Sequence, residues 1–447
     1  MIATVFIANT AEAFESLLQR TTHTEEGTRR MRHEFALSQR AFFWNGDDKV
    51  VITPYPIPEV LVRHNLAVCG FSNVVNFSPQ EAAIALSGAI ATDDVLMNAI
   101  AEYARNNPDM KVSPYAVTVG FLSLIDRMRQ MGISSVVDES PLARSVWTVR
   151  YLDSKVGFRA EMQKLMAQHP EIQIPEGFVA ENQRDAISMA KWFYAQGRSI
   201  AVKANYGESG WGLMLLKAEE YADASALRGA LERTFASDPV WEDMLIVIEE
   251  LIEPDTEIAG GSPSSELFVN EEQVVITYHC GQLLDEQGGF FGVELGNETL
   301  PDSLRNTLDR IAMIIGQRYQ ALGYRGFFDI DYVVAKNGTI YVVETNPRRT
   351  GGTHVYDLAK HLFGDSWEHD AYFLSHDSFQ YSSEPMPVET LLERMRTVFY
   401  PIEGQRRGII ITFINPVEPI MGYVAIGGNA DDGRGLQQQL FDLFKNA

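Results

Sequence analysis

Residues 340 to 352, IYVVETNPRRTGG, place a carboxylate, an amide and two guanidinium groups in close succession at the end of an apolar run. Successive side chains of a strand point to opposite faces, so Glu344 and Asn346 share one face. Upstream, GYRGFFDIDYVVAKNG puts Asp329 and Asp331 on one face of a second strand, and Asn337-Gly338 between two alternating runs is a hairpin signal. Folding the hairpin sets Asp331, and with it Asp329, opposite Glu344 and Asn346. Carboxylates gathered in this way repel one another unless a cation intervenes, and magnesium favours carboxylate oxygens together with phosphate oxygens.

A nucleotide carried by such a metal needs a phosphate clamp and a lysine. The stretch SIAVKANYGESGWGLMLL, residues 199 to 216, reads as a strand ending at Lys203, a loop with Gly207, Ser209, Gly210 and Gly212, and a second apolar run. Glycines let backbone N–H groups approach phosphate closely. The Gly-Lys-Ser/Thr ending of a P-loop is absent and a strand follows, so neither a P-loop nor a dinucleotide-binding turn fits. Further on, MLIVIEELIEPDTEI ends a buried strand with acids; the backbone of Glu250, Leu251 and Ile252 could meet an adenine edge and Glu257 could accept ribose hydroxyls. Lys155 opens a helical segment that Asp153 or Ser154 can cap.

Taken in order, Lys155, Lys203, NYGESGWG, IEELIEPDTE, DIDYVV and VVETNPRR make residues 145 to 360 resemble the ATP-grasp superfamily of carboxylate–amine ligases. The resemblance implies ATP and magnesium as cofactors, with manganese as an alternative. It assigns Lys155 and Lys203 to the ATP phosphates and the neighbourhood of adenine, Glu250 to Ile252 to the hinge, and Glu257 to ribose. Asp331, Glu344 and Asn346 become the metal ligands, with Asp329 the competing assignment for Asp331. The tail NPRRTGGTHVYDLAKHLFG is similar to the subgroup typified by the peptide ligase of pheganomycin biosynthesis, which points to Gly351, Gly352, Thr353 and His354 as substrate-side residues, and the resemblance to the ATP-grasp architecture implies a homodimer as an expectation.

The implied chemistry is transfer of the γ-phosphoryl group of ATP to a carboxylate, giving an acyl phosphate that an amine attacks, with ADP and phosphate released. Arg348 or Arg349 would orient the carboxylate, because a planar fork binds oxyanions bidentately. Amino acids or peptides are the expected substrates. The alternatives are a superfamily member that carboxylates or charges a carrier protein, and a non-catalytic nucleotide-binding module; the latter would tend to lose the acids and arginines retained here.

The surrounding elements follow from composition and pattern. At 447 residues the chain exceeds one small core. A net charge of −23 opposes nucleic acid as a partner. Two cysteines, Cys69 and Cys280, suggest neither a disulfide framework nor a zinc site, and no apolar stretch reaches membrane length, so a cytoplasmic enzyme is expected. The fold class expected is mixed α/β in four segments: an open-sheet domain over 1–142, a clamp lobe over 143–240, a catalytic lobe over 241–380 and a C-terminal module over 381–447. TVFIAN, AFFWN and KVVITPYPI read as strands, with helices over 58–68 and 93–105. IEPDTEIAGGSPSSELFV reads as a loop and SHDSFQYSSEPMPVET as a linker. His279 reads as a core residue, Phe290 and Phe291 as packing more than pocket, and LRNTLDRIAMIIGQRYQALG as an amphipathic core helix.

Overall fold

The structure is a computed structural model that describes residues 3–208, 210–242 and 245–445; Ser209 of the glycine loop lies outside them. The chain forms two compact units, one of Met1–Ser140, Gly292–Thr299 and Arg348–Ala447, the other of Pro141–Phe291 and Leu300–Pro347. Residues 348–380, expected with the catalytic lobe, and the C-terminal segment 381–447 therefore both belong with the N-terminal residues.

The first unit starts with a parallel sheet of β1 (Thr4–Ile7), β2 (Lys49–Ile52), β3 (Val74–Phe77) and β4 (Lys111–Pro114), in the order β3-β2-β1-β4. Every residue of β1 and β2 is buried, as parallel strands covered on both faces require. Helices Glu59–Cys69 and Asp94–Asn106 lie where the pattern placed them. AFFWN does not form a strand: Ser38–Phe43 is a 3-10 helix, all of it buried, continuing from helix Glu25–Leu37. A wholly buried apolar run carries no period to separate helix from strand.

The second unit holds an antiparallel sheet of β5 (Gly177–Ala180), β6 (Ile200–Glu208), β7 (Trp211–Leu216) and β8 (Ile246–Glu250), ordered β5-β8-β6-β7. It also holds β9 (Pro263–Val269), β10 (Val274–Leu284), the start of β11 (Phe290–Gly296), β12 (Gly326–Val334) and β13 (Ile340–Asn346). β9 pairs with β10 on one side and β12 on the other, and β12 pairs with β13, all antiparallel. Helix Asp302–Leu322 packs Leu304, Leu308, Ile311 and Ile315 into a core with Leu267 and Phe328.

β9 was expected as part of a loop because its polar residues read as turn chemistry. Those residues are buried in polar pairs instead: Ser264 donates to Asp329, and Ser265 Oγ lies 2.7 Å from His279 Nδ1. His279 Nε2 in turn meets Asp309 Oδ1 on the helix at 2.8 Å, so this histidine ties helix to sheet.

The chain then returns to the first unit with β14 (Tyr372–Gln380), β15 (Gly408–Ile414) and β16 (Ile420–Gly427), where β14 pairs with β16 and with β11 through Glu294–Gly296. SHDSFQ belongs to β14, so the expected linker shrinks to the residues that follow it. Helix Ala430–Phe444 buries Leu436, Leu440 and Phe444. Among the described residues no helix is long and apolar enough to cross a membrane.

Leu308 is fully buried at the centre of the long helix. Leu308→Ala should lower the stability of the second unit by about 2–5 kcal/mol through lost burial and a residual cavity, read from urea unfolding.

Candidate nucleotide and metal site

The β12–β13 register places Asp331 across from Glu344 and Asp329 across from Asn346, with an irregularity just after Asp331. On its other side β12 pairs with β9, so that Asp331 faces Ser264 and Asp329 faces Glu266. The amide of Asn346 donates to Asp331 Oδ2 at 2.9 Å and to Asp329 Oδ1 at 3.3 Å, while Gln282 Nε2 donates to Asp331 Oδ1 at 2.8 Å. Burial pushes the Asp329 carboxyl up to about 6, with Glu266 adding to the rise. Burial raises Asp331 well above the usual carboxylate range, reinforced by the charges of Asp329 and Glu344.

Among the described residues no three His, Cys, Asp or Glu side chains gather as a ready cation cage. The hairpin offers instead two carboxylates and an amide. That donor set fits magnesium, which takes a few carboxylate oxygens and leaves the rest of its shell to phosphate and water. The amide must turn its oxygen, rather than its nitrogen, toward the ion; the two atoms exchange by rotation about the last side-chain bond.

Two lysines reach the hairpin from different elements of the same unit. Ser154 caps helix Lys155–Met166 by accepting from Gly157 N, which fixes Lys155 at the first helical position. Lys155 is only 6% exposed, and its Nζ donates to Glu344 Oε1 at 2.5 Å. Lys203 on β6 donates to the Val343 carbonyl of β13 at 3.2 Å and forms an ion pair with Glu249. Glu249, 3% exposed at the end of β8, also accepts from Arg159 Nη1 at 2.8 Å, and Arg159 is held further by the Pro175 and Gly177 carbonyls. Sequence reasoning singled out Glu250 and passed over Glu249; the apolar run Ile246–Ile248, buried throughout, gave no sign that the carboxylate after it was buried too.

Lys203 pairs with Leu213, and Glu208 with Trp211, in an antiparallel β6–β7 ladder irregular between those pairs. Gly210 and Gly212 have φ of +84° and +80°, which side chains rarely adopt. A Cβ on Gly207 would stand 2.3 Å from the Trp211 carbonyl oxygen. At the hinge, Glu250 N donates to Glu176 O at 2.8 Å and Leu251 N to Ser199 O at 2.9 Å. These two N–H groups, expected to meet an adenine edge, are thus spent on backbone carbonyls of the same unit. The Glu250 carboxylate pairs with Arg198 at 2.5 Å, and Glu257 sits in an exposed turn.

Beyond Pro347 the chain enters the first unit, and the two arginines part there. Arg349 donates to both Glu139 oxygens, at 3.0 and 2.9 Å, and to Ser113 Oγ at 3.0 Å, with its guanidinium 4.8 Å from the Trp44 ring centroid. This residue is held as a buried structural ion pair. Arg348 lies over Phe14 at 5.1 Å and Tyr115 at 5.9 Å. Gly352 is right-handed, φ −89°, ahead of helix Thr353–Phe363. Thr353 and His354 open helix Thr353–Phe363 and are fully buried.

No protein-family model matches the chain. One curated relative, the L-propargylglycine–L-glutamate ligase of Streptantibioticus cattleyicolor, is 28% identical over 123 residues, 26% of this chain and 23% of that enzyme's length. Among solved structures the chain is similar along 100% of its length to the biotin carboxylase domain of Hydrogenobacter thermophilus 2-oxoglutarate carboxylase, with MgADP, ADP and bicarbonate (TM-score 0.55, 11% identity, 90% of that chain). It is likewise similar to N5-carboxyaminoimidazole synthase from Aspergillus clavatus with ADP and 5-aminoimidazole ribonucleotide (TM-score 0.54, 10% identity, 100% of this chain and 99% of that one). The fold is the ATP-grasp fold.

Glu249 compensates two buried cations. Replacing it by Leu should destabilise the second unit by about 3–5 kcal/mol, because Lys203 and Arg159 then remain buried without their counter-charge. The loss is read from thermal or urea unfolding, and a stability equal to the parent's would contradict the pairing.

Proposed function

We propose that this protein is an ATP-dependent ligase that converts a carboxylate to an acyl phosphate, transfers the acyl group to an amine, and releases ADP and phosphate. The observation that carries the reading is the pairing of Asp331 with Glu344, with Asn346 beside them and Lys155 on Glu344. The substrates proposed are amino acids or peptides. The name of the S. cattleyicolor relative describes the joining of two amino acids, and NPRRTGGTH resembles the pheganomycin-type peptide ligases.

A carboxylate oxygen leaves poorly, and phosphorylation turns it into a good leaving group. The protein contributes position and charge. Asp331, Glu344 and Asn346 would hold magnesium, which supplies charge neutralisation along the phosphates. Lys155 and Lys203 stand where their ammonium groups can turn from Glu344 and Glu249 to phosphate oxygens. The loop through Gly207, Gly210 and Gly212 offers backbone N–H groups to the phosphates, and its closure excludes water that would hydrolyse the acyl phosphate. Arg348 follows Asn346 by two residues in the sequence, and its fork would orient the carboxylate for phosphorylation.

A second reading is carboxylation with bicarbonate as the activated acid, favoured by the solved structure that contains bicarbonate. ADP release dependent on bicarbonate alone would select it; release dependent on an organic carboxylate selects the ligase.

Asp331→Asn and Glu344→Gln should each abolish magnesium-dependent ADP release while circular dichroism stays that of the parent. Parental rates in both variants would remove the hairpin from the site. Arg348→Lys keeps the charge and loses the fork, so kcat/KM for the carboxylate should fall at least about tenfold, about 1.4 kcal/mol, with ATP affinity nearly unchanged.

A further inference from the structure

Asp331 receives a side-chain amide on each of its oxygens. Asn346 donates to Oδ2 at 2.9 Å from the paired strand β13, and Gln282 Nε2 donates to Oδ1 at 2.8 Å from β10. The first contact joins neighbours in the hairpin; the second crosses the sheet. β9 lies between β10 and β12, with Cys280 opposite Ser264 and Ser264 opposite Asp331. Gln282 follows Cys280 by two residues, so it shares the face on which this row lies.

Two strand spacings amount to about 9.5 Å, and a long side chain is needed to span them. Ser264, the residue crossed, is small and turns its hydroxyl to Asp329. The seat of Gln282 is fixed as well. Its backbone N–H donates to the Ser262 carbonyl at 3.0 Å, just after a turn in which Gly260 and Gly261 take φ of +65° and +82°.

The two amides have different duties. Asn346 is a proposed ligand and must turn its oxygen to the cation, which withdraws its donation from Asp331 Oδ2. Gln282 keeps its nitrogen on Oδ1, because a carboxylate oxygen accepts and only the nitrogen end of the amide donates. Asp331 then presents Oδ2 alone. Without that restraint the carboxylate can rotate to offer both oxygens. Magnesium demands near-ideal octahedral geometry, whereas calcium accepts a carboxylate through one oxygen or both. Groups that hold a ligand in place from behind change metal affinity by about 10–100-fold when removed.

We infer that Gln282 is a positioning residue that holds Asp331 to a single oxygen toward the cation and so biases the hairpin to magnesium over calcium. The inference rests on the ligase reading above, through its metal ligands, and adds a determinant from a strand that reading does not use.

The test uses the full-length protein with ADP and reads ion binding rather than turnover. Mn2+ bound in the ADP complex is followed by electron paramagnetic resonance and displaced by Mg2+ or by Ca2+. Parent and variants share one ADP concentration, so the nucleotide's own affinities cancel in the comparison. Gln282→Met, close in size but without the N–H, should weaken Mg2+ and Mn2+ by at least about tenfold and Ca2+ by less than about threefold. Gln282→Asn retains the amide but falls short of Asp331 and should do the same. Equal weakening of all three ions, or parental affinities in either variant, overturns the inference and leaves the ligase reading standing. The unaltered protein decides independently of any substitution: its ADP complex should prefer Mg2+ over Ca2+ at least about tenfold more strongly than free ADP does. A preference no greater than that of free ADP overturns the inference alone. Failure of every ion to bind with ADP overturns both.

Discussion

The pairing of Asp331 with Glu344 across two antiparallel strands is the constraint on which the functional reading depends. Like charges directly opposite each other on a sheet are unfavourable, and here burial raises the cost further, as the elevated Asp331 carboxyl records. The protein offsets that cost locally: Lys155 reaches Glu344 from a helix terminus, and Asn346 and Gln282 donate to Asp331. On the proposed reading, a cation would relieve the repulsion that remains.

The same economy governs the lysine on the neighbouring sheet. Buried Lys203 is paired with Glu249, which is itself held by Arg159. On the proposed reading, a phosphate oxygen near Lys203 would compete with that carboxylate. The lysine needs only a rotation of its flexible stem to change partners, while the strands behind it stay in register. The division between rigid acids and mobile cations suits a site whose occupant is highly charged and has to arrive and leave.

Much of this could be read from local pattern. The Asn337-Gly338 turn and the alternation on either side of it specify the hairpin and its register, and the glycine run between two apolar stretches specifies the β6–β7 ladder. What escaped reading depends on distant partners. Lys155 is marked by resemblance, but its partner Glu344 lies 189 positions away and no local pattern joins the two. Glu249 ends an apolar strand and acquires meaning only from Arg159 and Lys203. The Ser-rich start of β9 imitates a loop because its hydroxyls are consumed by Asp329 and His279 from other strands. Arg348 and Arg349, adjacent and alike, are separated by Glu139, which claims the second of them. Short-range periodicity contains none of these pairings.

Acyl-phosphate formation is the claim on which the account turns, and oxygen transfer reports it directly. The protein is incubated with ATP, magnesium, an amine acceptor and a carboxylate substrate labelled with heavy oxygen in its carboxyl group, and the released phosphate is examined by mass spectrometry. The account predicts that the phosphate acquires one labelled oxygen as ADP and the amide product appear together. Product formation with unlabelled phosphate, or with AMP in place of ADP, would contradict it.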